Sequence, residues 1–270
     1  MFKLGGRFRR ALQRRLAYQP ADPLAAPPWM SPNIWALIDE SLCGTQMPRV
    51  LEYGTGCSSV WHVRRMVQGR GGTYVGVEHD HEWCVGVLAA LVREAAKERW
   101  LRSLEVVSAG ETGMDFCLNL VNREQIGTVV HLRSRPPKGN PTGDGNSHQF
   151  GSYIHAIDDA QYDLVVVDGR ARNCCVNHAL DTHRLGPGGT LVLCDAGRGV
   201  EKWLGQPTCV GDADYQPTVR RMLSLGACLR DGVGLGNWSN VATDAIYGRS
   251  TRPYPLEACF LKIPAERVAT

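Results

Sequence analysis

Apolar positions along the chain follow two rhythms. Short, mostly apolar runs at Arg49–Tyr53, Thr73–Glu78, Leu104–Ser108 (the third strand), Tyr162–Asp168 and Thr190–Asp195 end near a glycine or an acid. Runs of this length without polar alternation predict strands buried on both faces of a parallel sheet. Between them, apolar residues recur at helical spacing in Trp29–Leu42, Val60–Val67, Trp83–Trp100 and Thr218–Leu225. Strands that alternate with helices predict an α/β fold, a doubly wound and mostly parallel sheet with crossover helices on its faces. Leu185-Gly186-Pro187-Gly188-Gly189 breaks a further helical stretch just before the Thr190 run. The terminal pair Ala227–Arg230 and Ala258–Ile263 is weaker and reads as closing strands. Val129–Leu132 reads as an extra strand within an insert over residues 128–150. The Pro/Gly-rich basic loop of this insert, Arg133–Gly145, is long enough to be a lid or an acceptor-recognition element.

Composition narrows this picture only slightly. A chain of 270 residues, 43% hydrophobic, can bury one substantial core. The net charge of +3 does not by itself indicate nucleic acid. Its basic residues are concentrated at the start: Met1–Leu16 holds Lys3, Arg7, Arg9, Arg10, Arg14 and Arg15 and no acid. With the Pro/Ala-rich stretch Tyr18–Pro28 this predicts an arm and linker over 1–28, a helical extension ahead of a single domain over 29–270. No run reaches membrane-spanning length and no apolar signal core follows the start, so a cytoplasmic location is expected. The ten cysteines show no C-x-x-C spacing, and several sit in apolar runs, as small buried hydrophobes do.

The chemistry concentrates where the first strand ends. In Arg49-Val50-Leu51-Glu52-Tyr53-Gly54-Thr55-Gly56-Cys57-Ser58-Ser59, two glycines join a strand to a helix start, where the main chain can meet a polar ligand closely. Ser59 stands where a dinucleotide fingerprint needs its third glycine. Glu52, two residues ahead of Gly54, opposes a pyrophosphate and suits an ammonium or sulfonium. About twenty residues on, the second strand ends in Glu78, the position of a ribose-binding carboxylate in a βαβ unit.

E-x-G-x-G here resembles motif I of the class I S-adenosylmethionine (SAM) dependent methyltransferases. Val77-Glu78-His79-Asp80-His81-Glu82-Trp83 is similar to the V-E-H-D-x-x-W segment of a bacterial branch of that family, and Asp163-Leu164-Val165-Val166-Val167-Asp168-Gly169-Arg170-Ala171-Arg172 resembles the motif IV of that branch. The resemblance covers about Arg49 to Cys194. It implies a seven-stranded sheet with an antiparallel edge strand and SAM as cofactor. The implied SAM contacts are Glu52, Tyr53, Gly54, Gly56, Ser58, Glu78, His79, Glu111 and Asp168, with Glu111 at the adenine. Asp168, then His79 or Asp195, are the implied catalytic candidates. Trp29, Tyr153, Arg170 and Arg172 are the candidates at the acceptor. The two arginines either clamp an anionic acceptor or close a salt bridge with the sheet's acids.

The expected activity is metal-independent methyl transfer to an oxygen or nitrogen of a small molecule, with no nucleic-acid partner and a possible homodimer. No metal site is expected, because Gly169 and Arg170 follow Asp168 where catechol-type relatives place a second ligand, and a cation opposes a divalent ion there. Two other readings stay open: aminocarboxypropyl transfer or cyclisation of SAM, and a non-catalytic module that uses the basic arm on RNA or membrane.

Overall fold

The computed structural model describes residues 32–108, 113–139, 141, 144–194, 216–230 and 258–264. In chain order its elements are α1 (Pro32–Ser41), β1 (Arg49–Tyr53), α2 (Cys57–Gln68), β2 (Gly72–Glu78), α3 (His81–Lys97), β3 (Leu101–Ser108), β4 (Met114–Val121) and β5 (Gly127–Ser134). Then come α4 (Ser147–Ile154), β6 (Tyr162–Val167), α5 (Arg172–Asp181), β7 (Leu185–Cys194), α6 (Gln216–Ser224), β8 (Cys228–Arg230) and β9 (Ala258–Lys262). None of these helices is long and apolar enough to cross a membrane.

Among the described residues the strands form one nine-stranded sheet in the order β3-β4-β5-β2-β1-β6-β7-β9-β8. Its centre, β5-β2-β1-β6-β7, is parallel throughout. β3, β4, β9 and β8 are antiparallel to their neighbours. Tyr53 aligns with Val77 and Val167, Glu78 with Ser134, and Val167 with Leu193. The carboxyl ends of all five central strands therefore emerge along one edge.

Burial explains which strands take the centre. β1, β2 and β6 are buried on both faces almost throughout. Val50, Tyr74, Leu164, Val166 and Val192 pack beneath α1, α2 and α3. Leu51, Tyr53, Val75, Val77, Val165, Val167 and Leu193 pack beneath α4, α5 and α6. β5 instead alternates between buried and half-exposed residues, and β4 does so over most of its length. Phe116, Leu118, Leu120, Val130 and Leu132 face α3, while the other face of this wing is half-open.

Three expectations are corrected here. Among the described residues the sheet has nine strands rather than seven, because the β3–β4 hairpin widens one side. The run Leu104–Ser108 does not continue the parallel order; it lies in the outermost strand, antiparallel to β4. The third parallel partner on that side is β5, which pairs with β2 over seven residues. The segment 128–150 is thus no insert: it begins with a strand of the central sheet and ends in α4, whose Phe150 and Tyr153 belong to the core. The arm 1–28 lies outside the described residues.

Candidate active site

At the carboxyl edge, β1 turns into α2 through Gly54-Thr55-Gly56. Gly54 has φ +89°, and its N–H donates to Val77 O at 2.9 Å. A methyl group added there would lie 2.3 Å from Gly169 Cα, so the two glycines let the ends of β1 and β6 touch backbone to backbone. Gly56 is different. Its backbone is extended, and among the described residues a methyl there would meet only the Trp83 ring, at 3.9 Å. The space above Gly56, beside an indole, is the open part of the loop.

Glu52 does not face that space. It is wholly buried on the α2–α3 side, where the hydroxyls of Ser58 and Tyr74 donate to its carboxylate together with Ser59 Oγ at 2.8 Å. Ser59 Oγ also accepts from Gly56 N–H at 2.9 Å, which ties the acid to the first turn of α2. Burial raises the carboxyl's pKa above the ordinary range, against the lowering effect of the three hydroxyls. A ligand ammonium has no direct path to it in this arrangement; the geometry gives Glu52 and Ser58 the task of bracing the loop from below.

Glu78 is buried as well, at the end of β2, but it lies beside the glycine loop. Its Oε1 accepts from His79 N–H at 2.8 Å and Asp80 N–H at 2.9 Å, and its Oε2 accepts from Thr55 N–H at 3.0 Å. Three main-chain donors thus hold one carboxylate between the glycine loop and the start of α3. Thr55 is held from its other side too, since Trp83 Nε1 donates to Thr55 O at 2.5 Å. Asp80 caps α3 by accepting from Trp83 N–H at 3.0 Å, and His81 turns towards Ser134. His79, Asp80 and His81 therefore diverge rather than converging on one point.

The His79 ring points to the opposite face of the sheet. It lies edge-on to Phe150 and Tyr153 of α4, with centroid separations of 5.9 and 6.2 Å. Its Nδ1 is 2.6 Å from Glu78 Oε1, out of line for a hydrogen bond. Tyr153 is fully buried, its phenol so close to Gly169 that a methyl on that glycine would sit 2.1 Å from the oxygen. Burial pushes this phenol far above its ordinary pKa. Tyr153 therefore forms a wall beneath the site and does not line an open surface. Tyr53 is buried likewise: its hydroxyl donates to Ile154 O at 2.8 Å, and its carbonyl accepts from Asp168 N–H at 2.9 Å.

At the end of β6, Asp168 is partly exposed and lies 3.5 Å from the Arg172 guanidinium. That guanidinium also donates to Gly169 O at 2.9 Å and Cys194 O at 3.0 Å. Arg172 is nearly buried and brackets the ends of β6 and β7, the salt-bridge alternative of the two its sequence position left open. Its own N–H, at the start of α5, is capped by Asp144 at 3.0 Å, which pins the strap after β5 to this corner. Arg170 is exposed beside the site. Trp29, Glu111 and Asp195 lie outside the described residues. The structure therefore gathers Gly54, Gly56, Glu78, His79 and Asp168 along one edge, and sets Glu52, Tyr53, Ser58, Tyr153 and Arg172 behind them as supports.

Thr55 and Trp83 were missed as site residues. Trp83 stood in the quoted V-E-H-D-x-x-W run, and its place at the third position after the helix cap was the available signal. Nothing local marked Thr55, whose methyl fills the gap left by Gly76.

No family model matches the chain, and no curated protein matches its sequence. Solved structures do resemble it. One described as cofactor-bound Rv0187 from MTB aligns over 97% of this chain and 92% of its own, at 16% identity and a TM-score of 0.50. The O-methyltransferase TomG from Streptomyces achromogenes, in complex with SAM, aligns over 97% and 92% at 18% identity and a TM-score of 0.46. The N-methyltransferase NodS from Bradyrhizobium japonicum, in complex with S-adenosyl-L-homocysteine (SAH), aligns over 95% and 98% at 13% identity and a TM-score of 0.42. At such identities the likeness concerns architecture. The first of these similarities places the chain in the Rossmann-like α/β class, with a parallel centre and an antiparallel carboxyl-terminal edge.

Proposed function

We propose that the protein is a SAM-dependent methyltransferase acting on an oxygen or nitrogen of a small molecule without a catalytic metal. The observation that carries this reading is one constellation: among the described residues the glycine loop leaves room above Gly56, beside Trp83, and main-chain N–H groups hold the Glu78 carboxylate next to it. Ligands of open α/β sheets bind at this edge. A carboxylate there can accept from both hydroxyls of a ribose.

In this reading Glu78 takes the ribose, Gly56 and the N–H groups of the loop approach the amino-acid portion, and Asp168 faces the methionine end. SAM supplies an activated methyl on a sulfonium, so the protein's part is alignment, exclusion of water and handling of the acceptor's proton. Gly54 and Gly169 keep the ends of β1 and β6 in contact, with Asp168 beyond the end of β6 and Glu78 across β1 at the end of β2. Glu52, clasped by Ser58, Ser59 and Tyr74, holds the loop at its height. The exposed Arg170 and, outside the described residues, Trp29, Glu111 and Asp195 complete the proposed contacts.

The test is calorimetric titration with SAM, SAH and NAD, followed by an acceptor screen with labelled methyl. Saturable binding of SAH but not NAD, with label moving to a phenol, alcohol or amine, is the expected outcome. Binding of NAD instead, or no affinity for any of the three, would remove the proposal.

A further inference from the structure

We propose a second small-molecule site, at the amino edge of the sheet, that takes an aromatic carboxylate bearing a ring hydroxyl. A cavity of about 300 Å³ lies between α1 and α2, within the size range of ligand pockets. Pro48, which leads into β1, and Arg70, which precedes β2, both line it. It therefore stands at the opposite end of these strands from the glycine loop. Its residues belong neither to that loop nor to the Asp168 corner, so the site stands or falls apart from methyl transfer.

Leu42, Trp61 and Met66 give the cavity apolar walls, and His62 lines it from the same helix as Trp61. The His62 side chain is 2% exposed and sits among three aromatic rings, with centroids at 5.4 Å for Trp35, 5.2 Å for Trp61 and 6.4 Å for Tyr74. Among the described residues its Nε2 has no hydrogen-bond partner, and neither has Nε1 of the neighbouring Trp35. Buried polar nitrogens are nearly always matched. Burial pushes the imidazole's pKa down to about 3, so the ring is neutral and offers one donor and one acceptor. A ligand hydroxyl, which both donates and accepts, matches this nitrogen in either tautomer.

Charge selects the other end of the ligand. Arg65 lies over the Trp61 ring at 5.2 Å and is bridged to Asp39 at 2.5 Å, so these two charges cancel. Arg70 is half-buried at the cavity and has no salt-bridge partner among the described residues. At the end of α2, the carbonyls of Met66 and Val67 already accept from Gly71 N–H at 2.8 Å and Asn122 Nδ2 at 2.9 Å. The uncommitted charge is thus one guanidinium, whose planar fork pairs with a carboxylate. A hydroxylated aromatic carboxylate supplies partners for Arg70 and His62 together, and its ring suits the apolar walls of Trp61 and Met66.

The test is calorimetric titration of the full chain with para-hydroxybenzoate, with benzoate and phenol as comparisons. Para-hydroxybenzoate should saturate one site with a Kd below about 1 mM. Phenol, which lacks the carboxylate, should bind ~10-fold or more weakly, and benzoate about threefold or more weakly. Arg70→Ala should weaken para-hydroxybenzoate by ~10-fold or more. His62→Phe should make para-hydroxybenzoate and benzoate bind alike; if that chain does not fold, equal affinity of the two for the wild type still overturns the role of His62. Glu78→Ala should bind para-hydroxybenzoate as the wild type does, which separates this cavity from the carboxyl edge. Absence of saturable binding, an Arg70→Ala chain that binds as tightly as the wild type, or binding lost in a folded Glu78→Ala chain overturns the site. A chain that binds para-hydroxybenzoate in this way but not SAH keeps the cavity site and loses methyl transfer.

Discussion

Replacing Gly54 by alanine isolates what the glycine loop contributes mechanically. At φ +89° a side chain is strained by about 1–2 kcal/mol. The added methyl would also lie 2.3 Å from Gly169 Cα, 2.5 Å from Gly169 N and 2.8 Å from Asp168 C. These are backbone atoms at the junction of two central strands, so no side-chain rotation relieves the contact, and overpacking of this kind costs roughly 1–3 kcal/mol more. The sum, roughly 2–5 kcal/mol, corresponds to a fall in Tm of about 5–15 °C for a domain of this size. Thermal unfolding followed by far-UV circular dichroism measures it. Gly56→Ala is the control: its backbone is extended and the nearest described neighbour is 3.9 Å away, so its Tm should move by less than about 2 °C. Its SAH affinity should nevertheless fall, because the methyl occupies the proposed ligand space. A Gly54→Ala chain as stable as the wild type, or a Gly56→Ala chain that melts early yet binds normally, would refute this reasoning.

Three other outcomes follow from the same geometry. Gly169→Ala should destabilise by roughly 2–3 kcal/mol, and adding Tyr153→Phe, which removes the nearest clashing atom, should recover part of it in chemical denaturation. Glu52 has a folded pKa raised by burial, so the folded chain holds its proton above the pH, about 4.3, where the unfolded chain releases it. Its stabilising contribution is complete below that pH and is lost as pH rises through the folded value, so the stability of Glu52→Gln relative to wild type should grow over that window. A difference independent of pH would contradict the assignment. Arg172→Met should cost about 1–3 kcal/mol, because it takes their hydrogen bonds from the carbonyls of Gly169 and Cys194; urea unfolding checks this.

Much of the fold was legible because its central strands are short and apolar on both faces. Tyr162–Val167 and Thr73–Glu78 admit no helical reading, and their acidic ends mark the functional edge. The wing β3-β4-β5 was misjudged for a physical reason. Its strands bury one face only, so their apolar signal is half as dense, and their order depends on pairings such as Asp115 with Arg133 that no local pattern encodes. The same non-locality hid the supports of the site. Tyr74, 22 residues from Glu52, turns a suspected ligand contact into a braced internal acid, and Arg172 reaches to Cys194, 22 residues away. Residue types and spacing announced the charged groups; only the fold showed which of them face outwards.

The most direct single measurement is titration calorimetry of SAH into the wild-type chain and into Glu78→Ala. One saturable site in the wild type that disappears in the variant, with the fold intact by circular dichroism, is what a ribose-gripping carboxylate at the rim of the glycine loop predicts. Equal SAH affinity in both chains, or heat of binding from NAD in place of SAH, would contradict it.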